Sequence, residues 1–394
     1  MAHDLRSRLR RIREISPAQD PDAGAKPLAR KSPLLQKRPP QKPAGEIPPG
    51  FPAGEWSQAA FGTLRRGIEF DFSRPLPQPL PRSLCILVPD LRPHLPQPEE
   101  LVFFDLETTG LSGGAGTVAF LAAFGRFVMA PPAPLRLRVE QYLLLDYPGE
   151  YEFLQALLPH LTGKGTPVAV TYNGKTFDAP LLTTRCRMNG LEPPEFAHAD
   201  LLHPARRLWK RLLPSCSQSV IETSILGLDR TGDLPGAMAP EMWFSFLRNG
   251  ESQGLLDVCA HNARDILGLA HLFALTASIA LDPVKAAEAH SYDMEALALR
   301  WRRLTRRPEG NWGEAEAAAG QALLEAAIMR DYPRAGYAAY RALAVDAEWR
   351  RGDIPSALAY TQAALSLEGL RPADHQDLSR RRERLLARLG GGGE

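Results

Sequence analysis

The segment Leu101–Gly110, which reads LVFFDLETTG, decides the fold of this chain of 394 residues. Four apolar residues lead directly into Asp105, and such a run without alternation is typical of a strand buried on both faces of a sheet. Glu107 follows two positions later, so both carboxylates point to the same face where the strand ends. Adjacent carboxylates repel each other unless a positive charge lies between them, and a divalent cation is the usual one. The segment therefore predicts half of a metal site.

Composition and charge indicate a globular protein with a basic tail. Hydrophobic residues make up 44% and charged residues 23%, as in ordinary soluble proteins, and the length allows two or three domains. Residues 1–50 hold eleven Lys and Arg against five Asp and Glu, or +6, so the net charge of +2 leaves −4 for the remainder. A basic tail on a near-neutral body indicates an electrostatic tether for an anionic partner.

Cysteine usage and hydropathy bear on the cellular compartment. The four cysteines are far apart without a CxxC pair, which argues against structural zinc or a disulfide framework and favours a reducing cytosol. The charged stretch LRSRLRRIREI near the N-terminus lacks the apolar core of a secretory signal. No apolar run reaches the roughly 18 residues that a membrane span needs. We expect a cytoplasmic protein without a membrane partner.

Composition shifts divide the chain into four parts. Residues 1–50 are rich in Pro, Lys and Arg and predict a disordered tail. Residues 51–100 mix aromatic positions with a Pro-rich run, and we expect them to pack on the main domain as irregular structure with a strand or two. Residues 101–281 have the pattern of one α/β domain, and residues 286–390 that of an all-α region.

Within residues 101–281, three extended segments precede alternating strands and helices. A Gly-rich turn, Gly110–Gly116, leads to the extended segments Thr117–Val128 and Leu135–Leu145, and the three strands predict an antiparallel meander. Predicted helices cover Glu150–Leu161, Asp178–Met188, Pro204–Leu212, Ser217–Leu226, Pro240–Arg248 and Gly254–Ala280, and further strands cover Pro167–Thr171 and the residues up to Asp200. This order is expected of a mixed ribonuclease H-like sheet flanked by helices, although periodicity alone does not separate it from other α/β folds.

The region 286–390 is rich in Ala, Arg and Glu and predicts helices separated by breaks such as Gly352-Asp353. Small residues recur along these helices and resemble tetratricopeptide-type repeats, about two in number, with a plain helical appendage as the alternative. So short a stack needs support from the preceding domain, and it is a candidate surface for a protein partner.

Two further acids are candidates for the same site, one near the start of a predicted helix and the other inside a long predicted helix. Asp178 follows the turn Asn173-Gly174, and a simple N-cap is the alternative role. His261 and Asp265 are four residues apart and share one face of a long helix, where an exposed ion pair is the alternative. Asp200 is interpreted as a helix cap rather than a group behind the metal site.

In this order, the motifs that end at Glu107, Asp178 and Asp265 resemble those of the DEDD superfamily of 3′–5′ exonucleases, which have a ribonuclease H-like fold. The resemblance implies that these acids and Asp105 hold two Mg²⁺ or Mn²⁺ ions. Two hard cations about 4 Å apart can activate the attacking water and neutralise the leaving oxygen of a phosphodiester. It also implies a single-stranded nucleic acid, DNA or RNA, as the substrate.

Three further stretches resemble one bacterial branch of that superfamily, the YprB-like group of predicted exonucleases. They are DLLHPARRLW at residues 200–209, SCSQSVIE at residues 215–222 and the stretch Asp233–Pro240. The resemblance covers residues 101–281 well and the C-terminal region loosely, and that group sometimes carries tetratricopeptide-like repeats.

His261 departs from the superfamily pattern, which usually has Tyr four residues or His five residues before the last Asp. An imidazole titrates near neutral pH and can accept a proton from water, so His261 is the candidate general base. A shift of one residue turns a side chain by about 100° on a helix, which leaves its reach open. The alternative function is therefore a catalytically weak or inactive nucleic-acid-binding or scaffolding module. An endonuclease is a third possibility, which the His-x-x-x-Asp helix disfavours.

Five residues near the predicted site are candidate contacts with the substrate. They are Thr108, Thr109, Asn173, Arg206 and Arg207. The threonines directly follow the paired carboxylates, which suits contact with a 3′-terminal nucleotide. The arginines lie beside Trp209, and such a basic and aromatic cluster can bind phosphates and stack a base, with a solvated helix face as the alternative.

Overall fold

A computed structural model describes residues 47–92, 94–110, 116–128, 134–162, 167–307, 310–329 and 336–390. The predicted basic tail lies outside these ranges except for its last four residues. Most of the predicted turn Gly110–Gly116 also lies outside them.

Seven strands of the described chain form one mixed sheet. In chain order they are β1 (Ser57–Ala60), β2 (Thr63–Asp71), β3 (Leu101–Thr108), β4 (Ala119–Val128), β5 (Arg136–Leu144), β6 (Val168–Thr171) and β7 (Ala197–Asp200). Their order across the sheet is β1-β2-β5-β4-β3-β6-β7. The strands β3, β4 and β5 are antiparallel neighbours, as predicted, and β6 and β7 add to the β3 edge in parallel. The predicted α/β class and ribonuclease H-like sheet are confirmed.

The helices follow the predicted order with small shifts at their ends. They are α1 (Leu84–Leu87), α2 (Glu150–Leu161), α3 (Asp178–Met188), α4 (Leu202–Trp209), α5 (Gln218–Ile221), α6 (Ala239–Asn249), α7 (Gln253–Leu281), α8 (Pro283–Ala289), α9 (Met294–Thr305), α10 (Glu314–Met329), α11 (Tyr337–Asp346), α12 (Ile354–Leu365) and α13 (Pro372–Gly390). A π-helical turn, Glu222–Leu226, continues α5 and ends at Gly227, whose φ of 67° closes it in the left-handed region.

Alternate residues of β3 enter two different cores. Phe103 packs in a core shared with Ile266 of α7, whereas Val102 and Phe104 pack on the other face with Phe153 of α2. The continuous apolar run of β3 is thus explained, since both of its faces are buried. Asp105 follows Phe103 in the same alternation, so the strand directs it toward α7.

Residues 51–100, for which a strand or two was predicted, contain the strands β1 and β2 among the described residues. The strand β2 pairs with β5 over its whole length, from Thr63 opposite Leu144 to Asp71 opposite Arg136. The hairpin of β1 and β2 therefore extends the sheet beyond the predicted meander. Its residue Arg66 lies in β2 and is used by the site described below.

The C-terminal helices share the core of the sheet. Trp301 of α9 and Leu323 of α10 are fully buried in the same cluster as Phe103 and Ile266. A smaller separate cluster consists of Ala347, Ala357 and Leu385, and the last of these lies on α13. The tetratricopeptide-like character of residues 286–390 stays a prediction.

Within the described residues, α7 is long and apolar enough for a membrane span by length and composition. Its most apolar window has a mean hydropathy of 1.4, and 72% of that window is buried inside the protein. A helix buried in the core of a globular protein can have the same length and apolar composition.

Candidate active site

The end of β3 presents two half-buried carboxylates to an open cavity. Asp105 and Glu107 flank the buried Leu106, and all three line a cavity of about 420 Å³. Burial first, and then the charges of three neighbouring carboxylates, raise the pKa of Asp105 well above its ordinary value. Burial and the charges of two of those carboxylates raise the pKa of Glu107 to about 8. The cavity therefore concentrates negative charge that protons or cations must balance.

Asp178 reaches this cavity from the first residue of α3. A Cβ on Gly174 would lie 2.8 Å from Oδ2 of Asp178 and 2.6 Å from the side chain of Thr171, so only glycine leaves room for the carboxylate there. Burial first, and then the charge of Asp200, raise the pKa of Asp178 to about 7. The structure thus places Asp178 with the other acids.

Asp200 and Asn173 shape the turn that precedes Asp178. Oδ1 of Asp200 accepts from the backbone N–H of Asn173 at 2.8 Å and of Leu202 at 3.0 Å, so it ties this turn to the start of α4, whose N-cap is Leu201 rather than the predicted Asp200. Asn173 has a φ of 67°, a left-handed conformation that asparagine tolerates better than most residues. Asn173 therefore has a conformational role in this turn, and its predicted substrate contact stays a prediction.

The helix α7 brings His261 and Asp265 over the end of β3. Atoms of Glu107, His261 and Asp265 that can ligate a metal lie within 4.8 Å of one another. All three side chains line the cavity, together with Phe177, which is 47% exposed. The i,i+4 spacing on α7 therefore serves the cavity rather than an exposed ion pair.

A buried chain of hydrogen bonds fixes Asp105 from behind. Nδ2 of Asn262 donates to Oδ2 of Asp105 at 2.7 Å, and Nε2 of Gln141 donates to Oδ1 of Asn262 at 2.8 Å. Nε of Arg66 donates to Oε1 of Gln141 at 2.7 Å. Asn262 and Gln141 have no exposed surface, so each amide orients the next. The chain leaves the other oxygen of Asp105 for a ligand in the cavity.

Arg230 links Asp265 to two further carboxylates. Its guanidinium forms ion pairs with Glu222, Asp233 and Asp265. Although burial opposes its charge, these carboxylates raise the pKa of Arg230 above its ordinary range, so the group stays cationic. Burial and the charge of Asp265, only partly offset by Arg230, raise the pKa of Glu222 to about 7.

His261 lies between two carboxylates. Its Nδ1 is 2.9 Å from Oδ2 of Asp233, and its Nε2 is 3.2 Å from Oδ2 of Asp265. Although burial opposes ionisation, hydrogen bonds from Arg230 and His261 lower the pKa of Asp233 to about 2. Asp233 is therefore a fixed anion that holds the imidazole with Nε2 toward the cavity.

Comparisons with known proteins bear on the fold of this domain. Residues 102–277 match the family RNase_H_2 of the RNase_H superfamily. This domain is ribonuclease H-like. Over 205 residues the chain is 38% identical to "Uncharacterized protein YprB" of Bacillus subtilis (strain 168). The matched segment covers 51% of this chain and 47% of that protein. The resemblance to the YprB-like group is thereby confirmed at the level of sequence.

One solved structure is similar to part of this chain at 17% identity and a TM-score of 0.31. It is the family B DNA polymerase from the hyperthermophilic archaeon Pyrobaculum calidifontis, and the likeness covers 52% of this chain and 29% of the polymerase. The chain spans about half the length of the curated relative that it matches and less than a third of the polymerase.

The donor set of the ribonuclease H-like domain fits hard divalent cations. Asp105, Glu107, Asp178 and Asp265 offer carboxylate oxygens, which such ions prefer over nitrogen or sulfur. After burial, the charges of neighbouring members of this set raise the pKa values of Asp105 and Glu107, and a bound cation would relieve that repulsion. Asp265 is shared with Arg230, so a metal ion there would compete with the guanidinium for its oxygens.

The remaining predicted substrate contacts fall in different places. Thr108 lines the cavity, and its hydroxyl donates to the carbonyl of Gly110 at 2.9 Å. Oγ1 of Thr109 accepts from Val118 N–H at 3.0 Å and holds the strand connection. The structure separates the two arginines, since Arg207 donates to a carbonyl of α1 whereas Arg206 is exposed beside Tyr172.

The sequence analysis missed several residues of the site. They are Arg66, Gln141, Phe177, Glu222, Arg230 and Asp233. Glu222 and Asp233 lie in stretches that had carried the YprB-like resemblance without a role, which was the available signal. Arg66 and Gln141 reach the site only through strand pairing, which no local pattern reveals.

Proposed function

We propose that this protein is a metal-dependent 3′–5′ exonuclease of the DEDD type that hydrolyses phosphodiester bonds of single-stranded nucleic acid. The observation that carries the proposal is the convergence of four carboxylates and one histidine in a single open cavity. They are Asp105, Glu107, Asp178, His261 and Asp265. Two strand residues and three helix residues have no packing reason to meet in one cavity, whereas a cation site explains their convergence.

The residues of the cavity have distinct roles in this proposal. Two Mg²⁺ or Mn²⁺ ions held by the four carboxylates would supply the Lewis acidity that phosphodiester hydrolysis needs. His261, oriented by Asp233, accepts the proton of the attacking water at Nε2. Phe177 is exposed at the rim and offers a ring on which the terminal base stacks.

The size of the cavity supports a single strand as the substrate. About 420 Å³ has room for a terminal nucleotide but not for a duplex. An unpaired base can also lie on the ring of Phe177, whereas a paired base is shielded by its stack. The 3′ polarity rests on the resemblance of the three motifs to the DEDD superfamily.

The ion pair of Arg230 with Asp265 favours a second candidate function. A guanidinium that already neutralises Asp265 weakens the site for a cation, as expected of a nucleic-acid-binding module with little catalysis. The two candidates differ in whether cation binding displaces Arg230 from that carboxylate.

Hydrolysis of labelled single-stranded DNA and RNA in Mg²⁺ or Mn²⁺ tests the proposal. Shortening of the strands that is lost in EDTA and in Asp105→Asn supports it. Asp257→Asn is the matched control, because Asp257 is exposed on α7 outside the cavity lining and should retain full activity. Binding of the strands without metal-dependent shortening would favour the second candidate.

A further inference from the structure

Five arginines from four segments of the chain lie near the short helix α1. This arginine patch consists of Arg82, Arg92, Arg207, Arg300 and Arg303. Arg82, Arg92 and Arg303 are exposed. None of the five forms an ion pair with a carboxylate in the part of the chain that the structure describes.

Backbone carbonyls hold two members of the patch close together. Nη1 of Arg207 donates to the carbonyl of Leu87 at 2.6 Å, and Nε of Arg300 donates to that of the preceding Ile86 at 3.0 Å. Arg303 lies one helical turn from Arg300 on α9. Burial and the charges of neighbouring arginines lower the pKa of Arg300 to about 10, so the positive charges oppose one another. An anion would relieve this repulsion.

The patch continues into a second cavity. This cavity has a volume of about 430 Å³, and its lining includes Arg82, Arg92 and Trp312. The guanidinium of Arg82 lies over the indole ring of Trp312, 5.2 Å from its centroid. One arginine guanidinium can bind two phosphate oxygens at once, and an aromatic ring beside it can stack on a base. The combination suits a nucleic-acid strand better than a peptide carboxylate.

The patch borders the active site through one ion pair. Lys175 lies in the turn that leads to Asp178, and its Nζ is 2.6 Å from Oδ1 of Asp90. Asp90 lies in the 3₁₀ turn Pro89–Leu91 that directly precedes Arg92. The charge of Asp90 also acts on Arg207. The ion pair therefore connects the turn before Asp178 to the segment that carries Arg92.

We propose that the arginine patch is a second binding site for the phosphates of the nucleic-acid strand, separate from the cavity that holds its terminal nucleotide. The inference rests on the proposed function for the identity of the ligand. It explains why five arginines gather near an acidic cavity although no carboxylate of the described residues forms an ion pair with them. A strand anchored there is kept on the protein while its end is in the active site.

Anisotropy of a fluorescent 20-nucleotide single strand in EDTA measures this binding without hydrolysis. Arg92→Glu with Arg303→Glu removes two patch charges whose side chains hold no part of the described fold. We expect about a tenfold or greater loss of affinity and a weaker dependence on salt. Arg380→Glu with Arg382→Glu on α13 is the matched control, because these arginines are exposed on another part of the molecule.

Hydrolysis of thymidine 5′-monophosphate p-nitrophenyl ester, which is too short to reach the patch, separates the two proposals. The patch variant should cleave this ester at the wild-type rate while it binds the long strand weakly. Equal strand binding by the patch and control variants would overturn the patch and leave the exonuclease intact. Equal competition by poly-glutamate and an oligonucleotide would also overturn it. Patch-dependent binding without any hydrolysis would uphold the patch and refute the exonuclease.

Discussion

Asn262 is the residue on which the position of Asp105 depends most directly. It has no exposed surface and contacts Asp105 on one side and Gln141 on the other. Asn262→Ala removes the donor to Asp105 and leaves the amide of Gln141 partly unsatisfied, at a cost of about 1–3 kcal/mol in the free energy of unfolding. We also expect Mn²⁺ affinity to fall about 10- to 100-fold. Calorimetric Mn²⁺ titration checks this result. Unchanged affinity in a folded variant would contradict it, and Asn249→Ala at an exposed position is the control.

Asp233 tests whether His261 acts as the base. Asp233→Asn keeps the shape of the side chain but removes the anion that faces Nδ1 of His261. We expect kcat to fall about 10- to 100-fold with little change in KM, since Asp233 does not line the described cavity. Steady-state kinetics measure the split. Asp229→Asn, an exposed residue of the same loop, should leave both constants unchanged, and an equal loss there would refute the assignment.

The acids could be predicted from the sequence because each has a local signal. Asp105, Glu107 and Asp178 follow from strand alternation and a turn, and Asp265 from helical spacing. Arg230 could not be found in this way. It lies in the loop between a π-helical turn and α6, and its partner Asp265 is 35 residues away in sequence. Its role depends on how a loop folds back over α7.

The carboxyl end of β3 makes stability depend on pH in a definite direction. The pKa of Glu107 is raised from 4.5 to about 8, so its contribution to stability is full below pH 4.5 and is lost as the pH rises through about 8. Asp178 acts in the same direction near pH 7. A bound cation restores this lost stability, because its positive charge replaces the protons that the carboxylates release when they ionise.

We therefore expect Mg²⁺ to raise the melting temperature more at pH 8 than at pH 6. Thermal unfolding monitored by circular dichroism, with and without Mg²⁺, measures the difference. Asp178→Asn should reduce the Mg²⁺ effect at pH 8, because it removes one ligand. A larger Mg²⁺ effect at pH 6 in the wild-type protein would show that the carboxylates are not the cation site.

The positions of helices and strands along the chain were more predictable than which strands pair with each other. The apolar run of β3 and the periodicity of α2 and α3 predicted those elements within a residue or two. The pairing of β2 with β5 was not predicted, because a Pro-rich run separates β2 from the rest of the sheet in sequence. Long-range strand pairing follows from tertiary packing rather than from local pattern.

The stability of the whole molecule depends on its C-terminal helices. Trp301 and Leu323 are fully buried in the cluster that also holds Phe103. A chain that ends at Leu281 would expose that apolar surface, so we expect it to lose cooperative unfolding. A chain that ends at Leu370 removes only α13 and the small cluster around Leu385, and should unfold cooperatively with a lower midpoint. Urea titrations of both chains decide this, and a cooperative transition in the shorter chain would contradict it.

At this scale the sequence indicated domain order but not how the parts share a core. A cytoplasmic location and a protein partner for residues 286–390 stay predictions. The shared core follows from side chains such as Trp209, whose Nε1 donates to the carbonyl of Ser291 at 2.9 Å across the boundary. Such contacts join segments that composition alone separates.

The products of a 5′-labelled single strand, followed over time in Mg²⁺, test the central claim most directly. One strand has a free 3′-hydroxyl, and a matched strand has a blocked 3′ end. The account predicts a ladder that shortens by one nucleotide at a time from the free 3′ end and is strongly suppressed by the block. Internal cuts at equal rates in both strands, or no metal-dependent shortening of either, would contradict it.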